Sequence, residues 1–142
     1  MIKLYLDIDG VLLTTKHTQA ASGVEEFVEF VTSSFECYWL TTHCKGSSAS
    51  ALRYLSRFLP PSTLEQLEHK VKPTDWDTLK TEAIDVQSNF YWLDDQPFQA
   101  EKAFLQANRA AHRLIVVDLK EPDALVALQL QLQTLLQFGG LK

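Results

Sequence analysis

Asp7 and Asp9 stand one residue apart at the end of the first apolar run, Met1-Ile-Lys-Leu-Tyr-Leu-Asp7-Ile8-Asp9-Gly10-Val11-Leu12. A short stretch rich in β-formers reads as a buried strand. Carboxylates beside a core are costly unless something pairs them. A magnesium ion is one such partner, because it favours carboxylate oxygens and keeps several of its waters. Gly10 lets the backbone turn sharply just past the strand. An Asp-x-Asp triplet alone fits any surface turn; a strand running into Asp-x-Asp-Gly and a further apolar pair points to a site.

Other polar groups recur where apolar runs end. Thr41 follows Tyr38-Trp39-Leu40, and Asp94-Asp95 follows Phe90-Tyr-Trp-Leu93. The elements that must position them alternate. Residues 2–7, 35–40, 89–93 and 113–117 read as strands, the last ending at Asp118. Residues 23–33 read as an amphipathic helix, with Val24, Phe27, Val28 and Val31 at helical spacing and Ser22 as N-cap. Residues 48–58 read as a helix that stops before Pro60-Pro61. Residues 74–86, capped by Thr74 or Asp75, and residues 98–110 and 123–137 complete the helices. Such alternation implies an α/β fold of three layers, Rossmann-like, with a mostly parallel sheet and helices on both faces. Parallel sheets place their ligands outside the carboxyl ends of the strands, which is where Asp7, Thr41 and Asp94-Asp95 fall.

The chain of 142 residues reads as a single domain, 1–142, long enough for a real core. Apolar residues make up 46%, which excludes a disordered tail, and no apolar run is long enough to span a membrane. Met1 leads straight into the first strand without a signal peptide, so a cytoplasmic location is expected. Cys37 and Cys44 are too few for a disulfide scaffold and lack metal-binding spacing. The net charge of −5 carries no basic footprint of nucleic-acid binding. If Asp7, Asp9, Asp94 and Asp95 share one metal site, the remaining surface is close to neutral, and a phosphorylated polymer is neither demanded nor forbidden.

Taken in order, Asp7-Ile-Asp9-Gly10-Val11, Thr41, Lys80 and Asp94-Asp95 resemble the four motifs of the haloacid dehalogenase-like phosphotransferases. The resemblance spans most of the chain. It implies that Asp7 attacks phosphorus to form an aspartyl-phosphate, and that Asp9 protonates the leaving oxygen and later deprotonates water. It implies that Thr41 holds a phosphoryl oxygen, with nearby backbone N–H groups, and that Lys80 offsets charge on the phosphoryl group and Asp7. Asp94, with Asp95, would hold Mg²⁺ together with Asp7 and the backbone carbonyl of Asp9. Thr42, His43 and Gly10 are the candidates for substrate contact. Lys72 and Lys70 are rivals to Lys80, which sits one helix before the strand carrying Asp94. Asp9 favours phosphoryl transfer over dehalogenation, since a departing halide needs no proton.

The gap after the first motif, about residues 11–22, suits only a short flap hairpin, and residues 42–79 hold too little chain for a separate domain. No large cap domain is therefore expected, and the site should be open. An open site suits a large substrate such as a nucleic-acid end or a phosphoprotein, or a partner protein that covers it. Leu40-Thr-Thr-His43, Trp76-Asp-Thr-Leu-Lys80-Thr-Glu-Ala-Ile84 and Tyr91-Trp-Leu-Asp-Asp95 are similar to the small capless members found as domains of RNA-repair proteins. That likeness implies removal of phosphate from an RNA or nucleotide terminus. A small-metabolite or nucleotide phosphatase is the alternative, as is a phosphate-binding module with weak turnover. Arg53 and Arg57, one helical turn apart, read as a solvated face. Trp76, Tyr91 and Trp92 read as core or rim aromatics.

Overall fold

The first apolar run forms strand β1 (Lys3–Leu6) at the centre of a five-stranded sheet. A computed structural model describes residues 1–138; residues 139–142 of the expected 1–142 domain lie outside the described residues. The remaining elements, in chain order, are α1 (Val24–Ser34), β2 (Glu36–Trp39), α2 (Ala49–Leu55), α3 (Pro61–Lys70) and β3 (Val71–Lys72). Then follow β4 (Phe90–Asp94), α4 (Gln99–Ala107), β5 (Leu114–Val116) and α5 (Ala124–Phe138). All strand pairs are parallel, in the order β3-β2-β1-β4-β5. The fold is a three-layer Rossmann-like α/β structure. Among the described residues no helix is long and apolar enough to cross a membrane.

Side chains alternate across the sheet. Leu4 and Leu6 of β1, Cys37 and Trp39 of β2, and Tyr91 and Leu93 of β4 face the larger core, built with α1, α2, α3 and α5. Tyr5, Phe90 and Trp92 face the opposite layer, where Leu105 of α4 and Ile84 pack. The same alternation carries Asp7 and Asp94 onto the side of Tyr5 and Trp92. The register sets Leu6 beside Leu93, so the next residues along, Asp7 and Asp94, end adjacent strands side by side.

Chain order reverses about β1. The path runs outward from β1 through β2 to β3, then returns across β1 to β4 and β5. The gap between the carboxyl ends of β1 and β4 is thus the switch point of the sheet, the usual ligand crevice of this architecture.

Three expectations need correction. Helix α1 is preceded by Gly23, in left-handed conformation at φ 79, with no side-chain cap. Ser22 therefore lies one residue too early to act as the N-cap. The prolines do not merely end a helix: α2 stops at Leu55, and Pro61 opens α3 at a position where its missing N–H costs nothing. Residues 74–86 form no α-helix, only a 3-10 turn at Lys80–Ala83. The Glu82 carboxylate accepts from the backbone N–H groups of Asp77, Thr78 and Leu79, which a helix would have left to its own carbonyls or to water. Thr74 is no cap either; its hydroxyl donates to the carbonyl of Trp39.

Residues 12–21 form the expected short hairpin, joined at Leu13 and Ala20 and closed by Thr14. Residues 42–79 supply α2, α3 and β3 to the same sheet and layer, and among the described residues no cap domain interrupts the chain.

Candidate active site

Asp7 and Asp94 are both buried, and a single ammonium joins them. Lys80 Nζ lies 3.1 Å from Asp7 Oδ2 and 2.7 Å from Asp94 Oδ2. It arrives from the 3-10 turn packed on the same face of the sheet as these two side chains. Asp7 Oδ1 accepts from its neighbour's backbone, Ile8 N–H, at 2.8 Å, and Asp94 Oδ1 accepts from Gln96 N–H at 2.9 Å. The rival Lys72 points away from this centre: it pairs with Glu36 at 3.9 Å on the β3 side of the sheet, its side chain 62% exposed. Lys70 closes α3 and is exposed.

Lys80 is itself held in place. Glu101, buried in the first turn of α4, accepts from Lys80 N–H at 2.7 Å and from Phe98 N–H at 2.8 Å. One carboxylate thus caps α4 and ties the lysine-bearing turn to it. A Glu in the first turn of a helix is a readable capping signal. Its second bond, to a residue 21 positions earlier, is tertiary and leaves no mark in the sequence.

Asp95 completes a cluster with Asp7 and Asp94: one carboxylate oxygen from each lies within 4.8 Å of the others. Three carboxylates share one ammonium, so two negative charges are left uncompensated. The titration of the group reflects this imbalance. Burial pushes the Asp7 carboxyl up from its ordinary 3.8 to about 6; Lys80 opposes the shift and the charge on Asp94 adds to it. Asp95 is raised too, by burial and then by Asp94. Burial works against the charge on Lys80, yet Asp7 and Asp94 outweigh it and hold its pKa above the ordinary value. An all-oxygen set with excess negative charge suits a hard divalent cation.

Gly10 is required here by shape and by conformation. Its φ is +85, and a Cβ at this position would lie 2.1 Å from Asp95 Cγ. The Asp95 carboxyl occupies the space a side chain would need. Gly10→Ala is therefore expected to destabilise the fold by about 1–3 kcal/mol from backbone strain alone, with displacement of Asp95 in addition. Urea denaturation checks this; a variant as stable as wild type would show that Asp95 moves aside freely.

Asp9 is turned elsewhere, and its carboxylate is not part of the three-acid cluster. Oδ1 accepts from the Tyr54 hydroxyl at 2.8 Å, and Oδ2 meets His43 Nε2 at 2.9 Å. The two carboxylates of the first motif thus lie in different surroundings. The Asp7 side chain is 11% exposed against a half-buried lysine, the Asp9 side chain 40% exposed against a phenol and an imidazole. Thr41 is fully buried beyond the end of β2. Its Oγ1 accepts from His43 N–H at 3.3 Å, which leaves the hydroxyl hydrogen for another partner. Thr42 lies exposed on the same loop.

The structure therefore brings Asp7, Lys80, Asp94 and Asp95 together, sets Gly10 against Asp95, and joins Asp9 to His43. Tyr54 has no counterpart in the sequence reading. It sits on α2 as one of several apolar-periodic positions, and nothing local marks its hydroxyl.

Beside Gly10 and Asp95 opens a cleft of about 760 Å³ between the hairpin (Thr14, Thr15, Lys16) and the segment after β5 (Val117 to Lys120). Its volume is within the range of small-molecule sites, and Lys16 and Lys120 face it from opposite walls. Arg53 and Arg57 lie exposed on and just after α2. Trp92 and Tyr91 are buried, and Trp76 carries the Lys45 ammonium 4.0 Å above its ring. Cys37 and Cys44 are buried and free, and burial holds the Cys37 thiol at about 12. Comparison with protein-family models, with curated proteins and with solved structures finds no match.

Proposed function

We propose that the protein is a phosphotransferase that uses an aspartate nucleophile, of the haloacid dehalogenase-like class. Within that class we place it as a capless, Mg²⁺-dependent phosphomonoesterase that acts on a large substrate such as a nucleic-acid end. The observation that carries the reading is the Asp7–Lys80–Asp94 array at the switch point of the parallel sheet, with Asp95 beside it and Asp9 held apart.

Asp7, Asp94 and Asp95 would hold the cation through their carboxylates, and Asp9 through its backbone carbonyl. When bound, Mg²⁺ supplies charge neutralisation between the anionic nucleophile and the anionic phosphate. The chain's own residues account for the steps. One oxygen of Asp7 attacks phosphorus; the new O–P bond forms as the bond to the leaving oxygen breaks. Asp9 gives that oxygen its proton. Asp9, now a carboxylate, takes a proton from water as the water oxygen attacks phosphorus. The aspartyl O–P bond then breaks, releasing inorganic phosphate and restoring Asp7. Lys80 stabilises charge on Asp7 and the phosphoryl oxygens, and Thr41 donates its hydroxyl to one of them.

The absence of a cap domain and the open cleft favour a substrate larger than the site. The test is phosphate release from 5′- and 3′-phosphorylated RNA oligonucleotides and from the matching mononucleotides, with and without Mg²⁺. Higher kcat/KM on one oligonucleotide end, dependent on Mg²⁺, is expected. Equal turnover of oligonucleotide and mononucleotide would contradict the nucleic-acid end as substrate and favour a small phosphate ester.

A further inference from the structure

Two hydrogen bonds and an aromatic stack hold the Asp9 carboxylate in one orientation. The Tyr54 hydroxyl meets Oδ1 and His43 Nε2 meets Oδ2. The His43 ring stacks on the Tyr54 ring at 4.1 Å and 16°. Phe58, four residues further along the chain, backs Tyr54 edge-on at 5.7 Å. The His43 backbone is fixed in turn by Thr41. Two separate pieces of chain, the loop after β2 and α2, thus converge on one partly exposed carboxylate.

A carboxylate two residues from Asp7, unrestrained and 40% exposed, would be free to turn toward any cation held by Asp7, Asp94 and Asp95. There it would be neutralised and lost to proton transfer. We infer that Tyr54, stacked on His43, is a positioning residue that keeps the Asp9 carboxylate off the cation site and available as proton donor. This rests on the phosphatase reading above. Tyr54 donates to Oδ1, so the acidic proton is carried by Oδ2, the oxygen that His43 Nε2 also meets, and passes from there to the leaving oxygen. As the P–O bond to the leaving group breaks, its electron pair takes that proton, and the Tyr54 and His43 contacts steady the carboxylate that remains.

The role has a signature that a merely structural tyrosine lacks. A leaving group such as p-nitrophenolate departs without a proton, whereas an alkoxide needs one. The experiment uses the full chain with saturating Mg²⁺. It measures the rate constant for the first alcohol released, by rapid quench, from p-nitrophenyl phosphate and from a simple alkyl phosphate. Tyr54→Phe keeps the ring stack and removes only the hydroxyl. It is expected to lower the alkyl rate about 10-fold or more, part of the roughly 10²–10⁴-fold that a positioned general acid contributes, and to move the p-nitrophenyl rate far less. Asp9→Asn should show the same pattern with a larger loss. Adding Tyr54→Phe to it should cost nothing further, since both act through one carboxylate. Equal loss on both esters, no loss on either, or full additivity in the double variant would overturn the inference. Wild type that releases no alcohol from either ester and no phosphate from a phosphorylated oligonucleotide would overturn the phosphatase reading itself, and this inference with it.

Discussion

Asp7→Asn is expected to abolish phosphate release and, at neutral pH without metal, to make the protein more stable than wild type. The loss of activity should be on the order of 10⁴-fold or more, as for removal of a covalent nucleophile whose role no neighbour can assume. The gain in stability follows from the position of Asp7. Its carboxyl is buried, and its pKa rises from 3.8 to about 6 on folding, by burial first and by the charge on Asp94. A raised value means that the folded state favours the protonated form. The stability linked to this group is complete below about pH 4 and is lost as pH rises through about 6. At pH 7 the ionised carboxylate therefore costs wild type about 3 kcal/mol, taking ~1.4 kcal/mol per pKa unit. Asparagine carries no such charge; its single side-chain oxygen can accept from Ile8 N–H or from Lys80 but not from both, which offsets part of the gain. Thermal denaturation in chelator should show the variant ahead at pH 7 and level with wild type near pH 4. Adding Mg²⁺ should raise the melting temperature of wild type and move the variant much less. A variant less stable than wild type at pH 7 would mean that the Asp7–Lys80 pair outweighs the burial of charge.

Lys80→Ala should be the most damaging change to stability and should also lower turnover severely. The ammonium is shared by two buried carboxylates, and removing it leaves Asp7 and Asp94 facing one another without a cation. Breaking one side of a buried ion pair costs about 3–5 kcal/mol; protonation of one carboxylate, or binding of a divalent cation, would recover part of that. Turnover should fall severely because both the nucleophile and the phosphoryl oxygens lose their neutralising partner. Lys72→Ala is the matched control. Its ammonium lies at the sheet edge by Glu36, so stability and turnover should stay close to wild type. Urea denaturation with and without Mg²⁺, alongside phosphate release, separates the effects. A mild Lys80→Ala and a severe Lys72→Ala would remove Lys80 from the site.

Much of this site is legible in the sequence because its acids end apolar strands. Asp7 and Asp94 each follow a continuous β-forming run, and a parallel sheet has only one place to put such residues. Gly10 was readable as a turn; that Asp95 fills the space of its absent Cβ was not. Position in the chain, just before the strand carrying Asp94, puts Lys80 ahead of Lys70 and Lys72, but what fixes it in the site is tertiary: the face of the sheet on which its turn packs and the Glu101 carboxylate that anchors its backbone. The helix expected over 74–86 failed for a similar reason. Residues 79–84 have helical composition, but Glu82 satisfies the preceding N–H groups from its side chain, and only a 3-10 turn survives. Helix α3 is hard to see in the sequence because Pro60-Pro61 looks like a stop, although proline is equally suited to a helix start. Tyr54 was invisible because a helical face records which residues point inward, not what a hydroxyl at the end of one will meet.

The central claim, that Asp7 becomes covalently phosphorylated, is tested most directly by stopping the reaction in acid during turnover with Mg²⁺ and mapping the phosphoryl group by mass spectrometry. A phosphoryl group on the peptide carrying Asp7, absent from Asp7→Asn and lost on treatment with hydroxylamine, is the predicted result. Sustained phosphate release by wild type with no phosphoryl group on Asp7, including in Asp9→Asn where breakdown of the intermediate should be slowed, would contradict it.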